Sequence, residues 1–225
     1  MFGASPLTKG SSEATRSLYT YCILSHTVDL LFQGTFLLLP EYYIEGLNGR
    51  GPVNYAIKQA GTVSLVGVTE VKDDFDKGVA QNMVQAKTIL DYRKREAEGM
   101  SDDTPTDSDT PKDSGIIKRF GVITDDEIWK FLECYCHEDG PPQFKLSKEY
   151  RIYMGESQAA LALLKENVKT IMEIIAWFLS EAIVVAVLDK TQTRSRKWME
   201  VQMTWLRNLH EGDLCHLFAI PLRSW

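Results

Sequence analysis

Residues 53–72, VNYAIKQAGTVSLVGVTEVK, constrain this chain more than any other stretch. Two runs rich in β-branched residues flank a Gln-Ala-Gly turn, the pattern of paired strands. In the first run Val53, Tyr55 and Ile57 are expected on one face, with Asn54, Ala56 and Lys58 on the other. The second run, 62–71, is apolar on both sides for much of its length and is expected at the centre of a sheet.

The flanking sequence supplies the rest of the architecture. Leu18, Cys22, Leu24, Val28 and Leu31 recur at helical spacing, so a helix is expected from Glu13 to about Phe36, with Ser11 or Ser12 as its cap. Pro40 is expected to end the element before it, EYYIEG to form a short strand, and LNGRGP to turn the chain. DDFDKG caps a helix that places Val79, Met83, Ala86 and Leu90 on one stripe. Residues 101–115 hold five aspartates, one lysine and no apolar residue besides proline, which reads as a disordered acidic insert at about 100–115. After it, IIKRFGVITD reads as a strand, DEIWKFLECYC as a short element with core aromatics, and FKLSKEYRIYM as one or two strands. Helices follow over 157–188, broken near Asn167, and over 193–210. The order predicts an α/β sandwich with a mixed sheet flanked by helices. It makes one domain over 1–225, with a helical C-terminal third.

Charge and composition bound the function. At 225 residues and net charge −6, the chain is long enough for one substantial core and lacks the basic balance of a dedicated nucleic-acid binder, although a local basic patch fits on an acidic body. Glu173 and Glu181 interrupt the apolar run 171–188, which argues against a membrane span. No leader-like stretch is seen, so an intracellular protein of the cytoplasm or nucleus is expected. The cysteines are Cys22, Cys134, Cys136 and Cys215; reduced buried thiols are expected over a zinc site built with His137 and His216. No phosphate-binding Gly-Lys-Ser/Thr loop, Gly-x-Ser-x-Gly elbow or metalloprotease histidine pair is present.

Glu70 and Lys72 lie two apart on one strand and so leave the same face. A carboxylate there can hold a hard divalent cation, and the ammonium can steady an attacking water or the charge developing on a phosphate. Glu-x-Lys alone is a common pair on solvated strands. Gln81 and Gln85, four apart on the next helix, share one side of it.

GRGPVNYAI, VGVTEVK and KGVAQNMVQ together resemble the core of the PD-(D/E)xK, restriction-endonuclease-like nuclease superfamily. They most resemble the nuclease-like domain of Crinkler-type proteins of fungi and oomycetes. FGVITD followed by Trp129 is similar to that family's next strand, and the resemblance covers roughly 13–131. It implies a metal-dependent nuclease that uses Mg2+ or Mn2+. Glu70 then matches the second metal-binding acid, Lys72 the catalytic lysine, and Gln81 the polar helix residue at substrate or water. Asn54 stands where the family's first metal-binding Asp is expected. An amide oxygen can ligate magnesium but adds no negative charge. Glu45, or Glu41 before it, is the candidate replacement acid. Asp73, Asp74 and Asp76 read as helix caps in preference to ligands.

For a nucleic-acid backbone the candidate contacts are Arg50 and Lys58 around the first strand, Arg93 with Lys94 and Arg95 at the helix end, and Arg194, Arg196 and Lys197 beside Trp198. Each group also reads as ordinary solvated charge. A catalytically inactive nuclease-like fold that binds a protein or nucleic acid is the alternative function. A third reading is an unrelated α/β protein with an accidental Glu-Val-Lys. Oligomeric state stays open.

Overall fold

A computed structural model describes residues 12–46, 49–99, 117–137, 140–153, 155 and 157–187, without the side chains of 92–99 and 183–187. Helix α1 (Glu13–Phe32) starts where the Ser12 hydroxyl accepts the Thr15 N–H at 3.2 Å. It stops at Gln33 and Gly34, both left-handed at φ 39° and 83°. That is earlier than the periodicity suggests, because the left-handed pair reverses the chain before Phe36.

Strand β1 (Phe36–Gly46) then runs straight through Pro40 and pairs with β2 (Gly49–Gln59). Pro40 is tolerated because β1 is the outer strand of the sheet, where a missing N–H leaves no partner strand short. The expected turn LNGRGP is therefore smaller than it reads: Gly49–Pro52 belong to β2. Strand β3 (Leu65–Val71) is buried along most of its length, between β2 and β4 (Ile117–Thr124). β3 and β4 are parallel, and the other strand pairs are antiparallel. The expected short element after β4 is a nine-residue strand, β5 (Ile128–Cys136), with β6 (Gln143–Leu146) and β7 (Tyr150–Arg151) along its far edge.

Helices cover both faces. Helix α2 (Phe75–Gly99) packs Val79, Met83, Ala86, Ile89 and Leu90 onto one face, against Val53, Ala56, Val68, Ile123 and Leu132. Helices α1 and α3 (Gln158–Val187) cover the other, over Tyr55, Ile57, Val66, Phe120, Trp129 and Phe131. α3 is continuous through Asn167, contrary to the expected break. Leu164, Val168 and Ile171 are buried on either side, and this packing overrides the weak helix propensity of one Asn. The mixed sheet between helical layers is a restriction-endonuclease-like α/β arrangement. No helix among the described residues is long and apolar enough to cross a membrane. The acidic insert, the helix expected over 193–210, Cys215 and His216 lie outside the described residues.

Two local irregularities bend the sheet. Ile57 pairs with Gly67 and Lys58 with Leu65, so Val66 is an extra residue that bulges from β3. In the β1–β2 hairpin, Glu41 is left-handed at φ 46°, and the Glu41–Asn54 rung is missing from the ladder. Beyond that point both strands change face. Val53 joins Ala56 under α2 instead of joining Tyr55 and Ile57, as strict alternation predicts. The distal hairpin thus curls over the α2 side of the sheet.

Candidate functional site

The curl of the hairpin creates a cleft of about 700 Å3. Its floor is the end of β3, one wall is the hairpin, the other is α2, and Glu13 of α1 stands at the rim. Glycines let these walls meet. A Cβ on Gly46 would lie 2.5 Å from Thr88 Cγ2, and one on Gly49 would lie 3.0 Å from Val84 Cγ1. Gly78 serves the floor, since a Cβ there would meet Ile123 at 3.0 Å and Lys72 Cβ at 3.3 Å. The Asp74 carboxylate accepts the Lys77 N–H at 3.2 Å and so caps α2, while Asp73 pairs with Arg16 at 2.6 Å.

Glu70, Lys72, Gln81, Asn54, Arg50 and Glu41 all line this cleft. Glu70 is 2% exposed. Its Oε1 lies 3.4 Å from Lys72 Nζ, and its Oε2 accepts a hydrogen bond from Gln85 Nε2 at 2.9 Å. Lys72 Nζ also lies 3.6 Å from Glu13 Oε1. Burial raises the Glu70 pKa above the ordinary carboxylate range; the Gln85 bond and the Lys72 charge pull it back only in part, and Glu13 adds to the rise. Glu70 is therefore a desolvated carboxylate with incomplete charge compensation, and a cation in the cleft would stabilise its ionised form.

Asn54 Oδ1 accepts the Val71 N–H at 2.9 Å. β2 parts from β3 after the Tyr55–Thr69 pair, and the Asn54 side chain takes over the lost ladder bond. The amide thus has a structural duty beside the floor of the cleft. Glu45 is not brought here. It lines a second, neighbouring pocket together with Lys58. Among the described residues, the other acids that line the Glu70 cleft are Glu41 and Glu13. Arg93 lies on α2 with its side chain undescribed, and Arg194, Arg196 and Lys197 lie outside the described residues.

Some residues gain importance only in three dimensions. Gln85 supplies the hydrogen bond to Glu70; its spacing from Gln81 was visible, but not which of the two touches the acid. Buried Asn82 donates to Val68 O at 3.3 Å and Val122 O at 3.4 Å, seating α2 on β3 and β4. Tyr55 donates to Ser17 O at 2.7 Å, which ties the start of α1 to β2 beside Asn54. Asp126, in the β4–β5 turn, is 4% exposed and left-handed at φ 78°. Burial, and then Asp125, push its carboxyl up to about 7, against the pull of Arg16. No sequence signal singles out Asp126.

Among the described residues no three His, Cys, Asp or Glu side chains converge as a ready metal-ligand set. Cys134 and Cys136 are buried free thiols, and burial pushes Cys134 up to about 12.

No family model matches the chain, and no solved structure matches it. Crinkler effector protein 1 of Rhizophagus irregularis is 39% identical to it over 178 residues. This chain is a homologue of a Crinkler effector protein. The shared stretch covers 79% of the chain but 34% of the Crinkler effector, so the chain spans about a third of that relative's length. Such homology, with the restriction-endonuclease-like sheet, is consistent with a Crinkler-type nuclease-like domain.

Proposed function

We propose that the Glu70 cleft hydrolyses phosphodiester bonds of nucleic acid with a divalent cation, Mg2+ or Mn2+. The observation that carries this reading is the 2%-exposed Glu70 carboxylate at the floor of an open cleft, with the Lys72 ammonium 3.4 Å away. The donor set fits a weakly held hard cation. Magnesium keeps several waters and is commonly held by one or two carboxylates plus substrate phosphate. Glu70 would hold it with the Asn54 amide oxygen, and Glu41 and Glu13 add negative charge to the same cleft. The bound ion would polarise the phosphoryl oxygen and lower the pKa of a water.

The remaining steps belong to the chain's own side chains. Gln85 holds one oxygen of Glu70 and leaves the other turned to Lys72. Lys72 is one-third exposed and offers its protons to a phosphate oxygen or the attacking water. Gln81 and Arg50, on opposite walls, orient the backbone of the substrate. In the nucleus or cytoplasm such a cleft would meet nucleic acid.

A second reading is a binding module without cleavage, serving a protein or nucleic-acid partner. One observation favours it: Asn54 Oδ1 is engaged by the Val71 N–H, so position 54 has a structural use that needs no metal. A cleavage assay separates the two. Labelled single- and double-stranded oligonucleotides are incubated with the chain in Mn2+ or in chelator. Hydrolysis is expected only with metal, and Glu70→Gln or Lys72→Ala should reduce it by about a hundredfold or more, the size of loss seen when one charge-stabilising group is removed. No hydrolysis by the parent, or equal hydrolysis by Glu70→Gln, would overturn the nuclease reading.

A further inference from the structure

The hairpin that walls the Glu70 cleft has a second pocket on its other side, of about 280 Å3. Ile44 and Thr88 line both spaces, so the two pockets are direct neighbours. Their charges differ. The Glu70 cleft carries Glu13, Glu41 and Glu70 against Arg50 and Lys72. Among the described residues, the second pocket is lined by Lys58 and Arg119 together with Glu45. The acidic cleft favours a cation and by itself repels a polyanion; the second pocket has the opposite bias.

Its walls are specific. Arg119 is 5% exposed, and its guanidinium donates to Lys118 O at 2.6 Å and Ser64 Oγ at 3.2 Å, which fixes its plane at the wall of the pocket. Tyr43 and Val63 stand at the opening, 56% and 61% exposed, beside the half-buried Tyr42. One turn beyond Ile89, which also lines the pocket, α2 continues into Arg93, Lys94 and Arg95. An aromatic rim over a cationic wall is the chemistry that takes a base by stacking and its phosphate by charge.

We propose that this second pocket receives one unpaired nucleotide of the strand whose neighbouring phosphate sits at Glu70, so that the domain selects single-stranded nucleic acid. The proposal rests on the nucleic-acid reading of the Glu70 cleft. It adds the strand state of the substrate and the residues that sense it. At about 280 Å3 the pocket lies just below the usual range of small-ligand sites, a size suited to one splayed base and too small to take in a base pair. Tyr43 stacks on the base, while Lys58 and Arg119 meet the phosphate.

The test is equilibrium binding in chelator, where no cleavage occurs. Fluorescence anisotropy reads the affinity of a labelled single-stranded oligonucleotide and of a duplex of equal length. Tyr43→Ala and Lys58→Ala, both at solvent-accessible positions, should each weaken single-strand binding by about tenfold, the effect of losing one stacked base or one backbone contact. The Tyr43 variant should leave duplex binding unchanged, and Glu70→Gln should bind single strands at least as well as the parent. Adenosine monophosphate should displace the strand at concentrations where inorganic phosphate does not. Failure of hydrolysis with these binding effects intact would remove the nuclease reading and leave the nucleotide pocket standing. Equal loss of single-strand and duplex binding in Tyr43→Ala, no loss in either variant, or displacement by phosphate as readily as by the mononucleotide would overturn the pocket assignment.

Discussion

Burial works against the ionised form of Glu70. A desolvated carboxyl prefers its proton, so the folded state binds that proton more tightly than the unfolded chain does. Stability from this group is therefore greatest at low pH and falls as pH rises past the ordinary carboxylate range. Gln85 limits the loss through its hydrogen bond. Gln85→Leu should destabilise the metal-free protein by about 1–3 kcal/mol at pH 8, the range for a buried acceptor left unsatisfied, and much less at pH 4, where Glu70 is protonated. Urea unfolding at the two pH values checks this; equal losses would mean that Gln85 acts only by packing. Asp126 follows the same sign with a clearer window. Its carboxyl ionises near 3.8 when unfolded and near 7 when folded, so it withdraws stability as pH rises between those values. Asn accepts left-handed backbone, so Asp126→Asn should keep the φ 78° turn and raise stability at pH 8 by on the order of 1–3 kcal/mol. The gain should vanish near pH 4, and a variant less stable than the parent at pH 8 would show that the Arg16 attraction outweighs burial.

The hairpin is the element on which the site depends. β2 was legible from alternation and β1 only as the short strand 41–46, but the curl was not legible, because it follows from left-handed Glu41 and from contact with a helix some forty residues later. Strict alternation therefore misplaced Val53, and the sequence left Glu45 and Glu41 as alternative acids, of which Glu41 lines the cleft. Gly46→Ala would push a methyl into Thr88 and should destabilise the fold by about 1–2 kcal/mol, as overpacking does. Thr88→Ala should restore most of that loss in the double variant, since the Thr88 methyl is the nearest atom met. Additive losses in thermal or urea unfolding would show that Gly46 is needed for its backbone freedom and not for its seat on α2.

Across the whole molecule, the order of elements along the chain and the α/β class with a mixed sheet could be read from the sequence because the elements are marked by local pattern, whereas the order of strands within the sheet could not. Apolar β3, the α2 stripe and the β-branched run of β4 each announce themselves within a few residues. α3 misled in the other direction, since Asn167 looks like a break until the core on either side of it is known. Glu70 and Lys72 could be paired by strand geometry alone, whereas Gln85, Glu13 and the duty of Asn54 toward Val71 arise only when separate elements meet. The proposed cleavage in this cleft would depend above all on a cation held through Glu70. Calorimetric titration of Mn2+ into the parent, Asn54→Asp and Glu70→Gln tests that directly. Asp at 54 can still accept the Val71 N–H while adding a charged oxygen, so Asn54→Asp should bind Mn2+ more tightly than the parent and Glu70→Gln should show no binding. Undiminished binding by Glu70→Gln, or none by either the parent or Asn54→Asp, would contradict a Glu70-held cation.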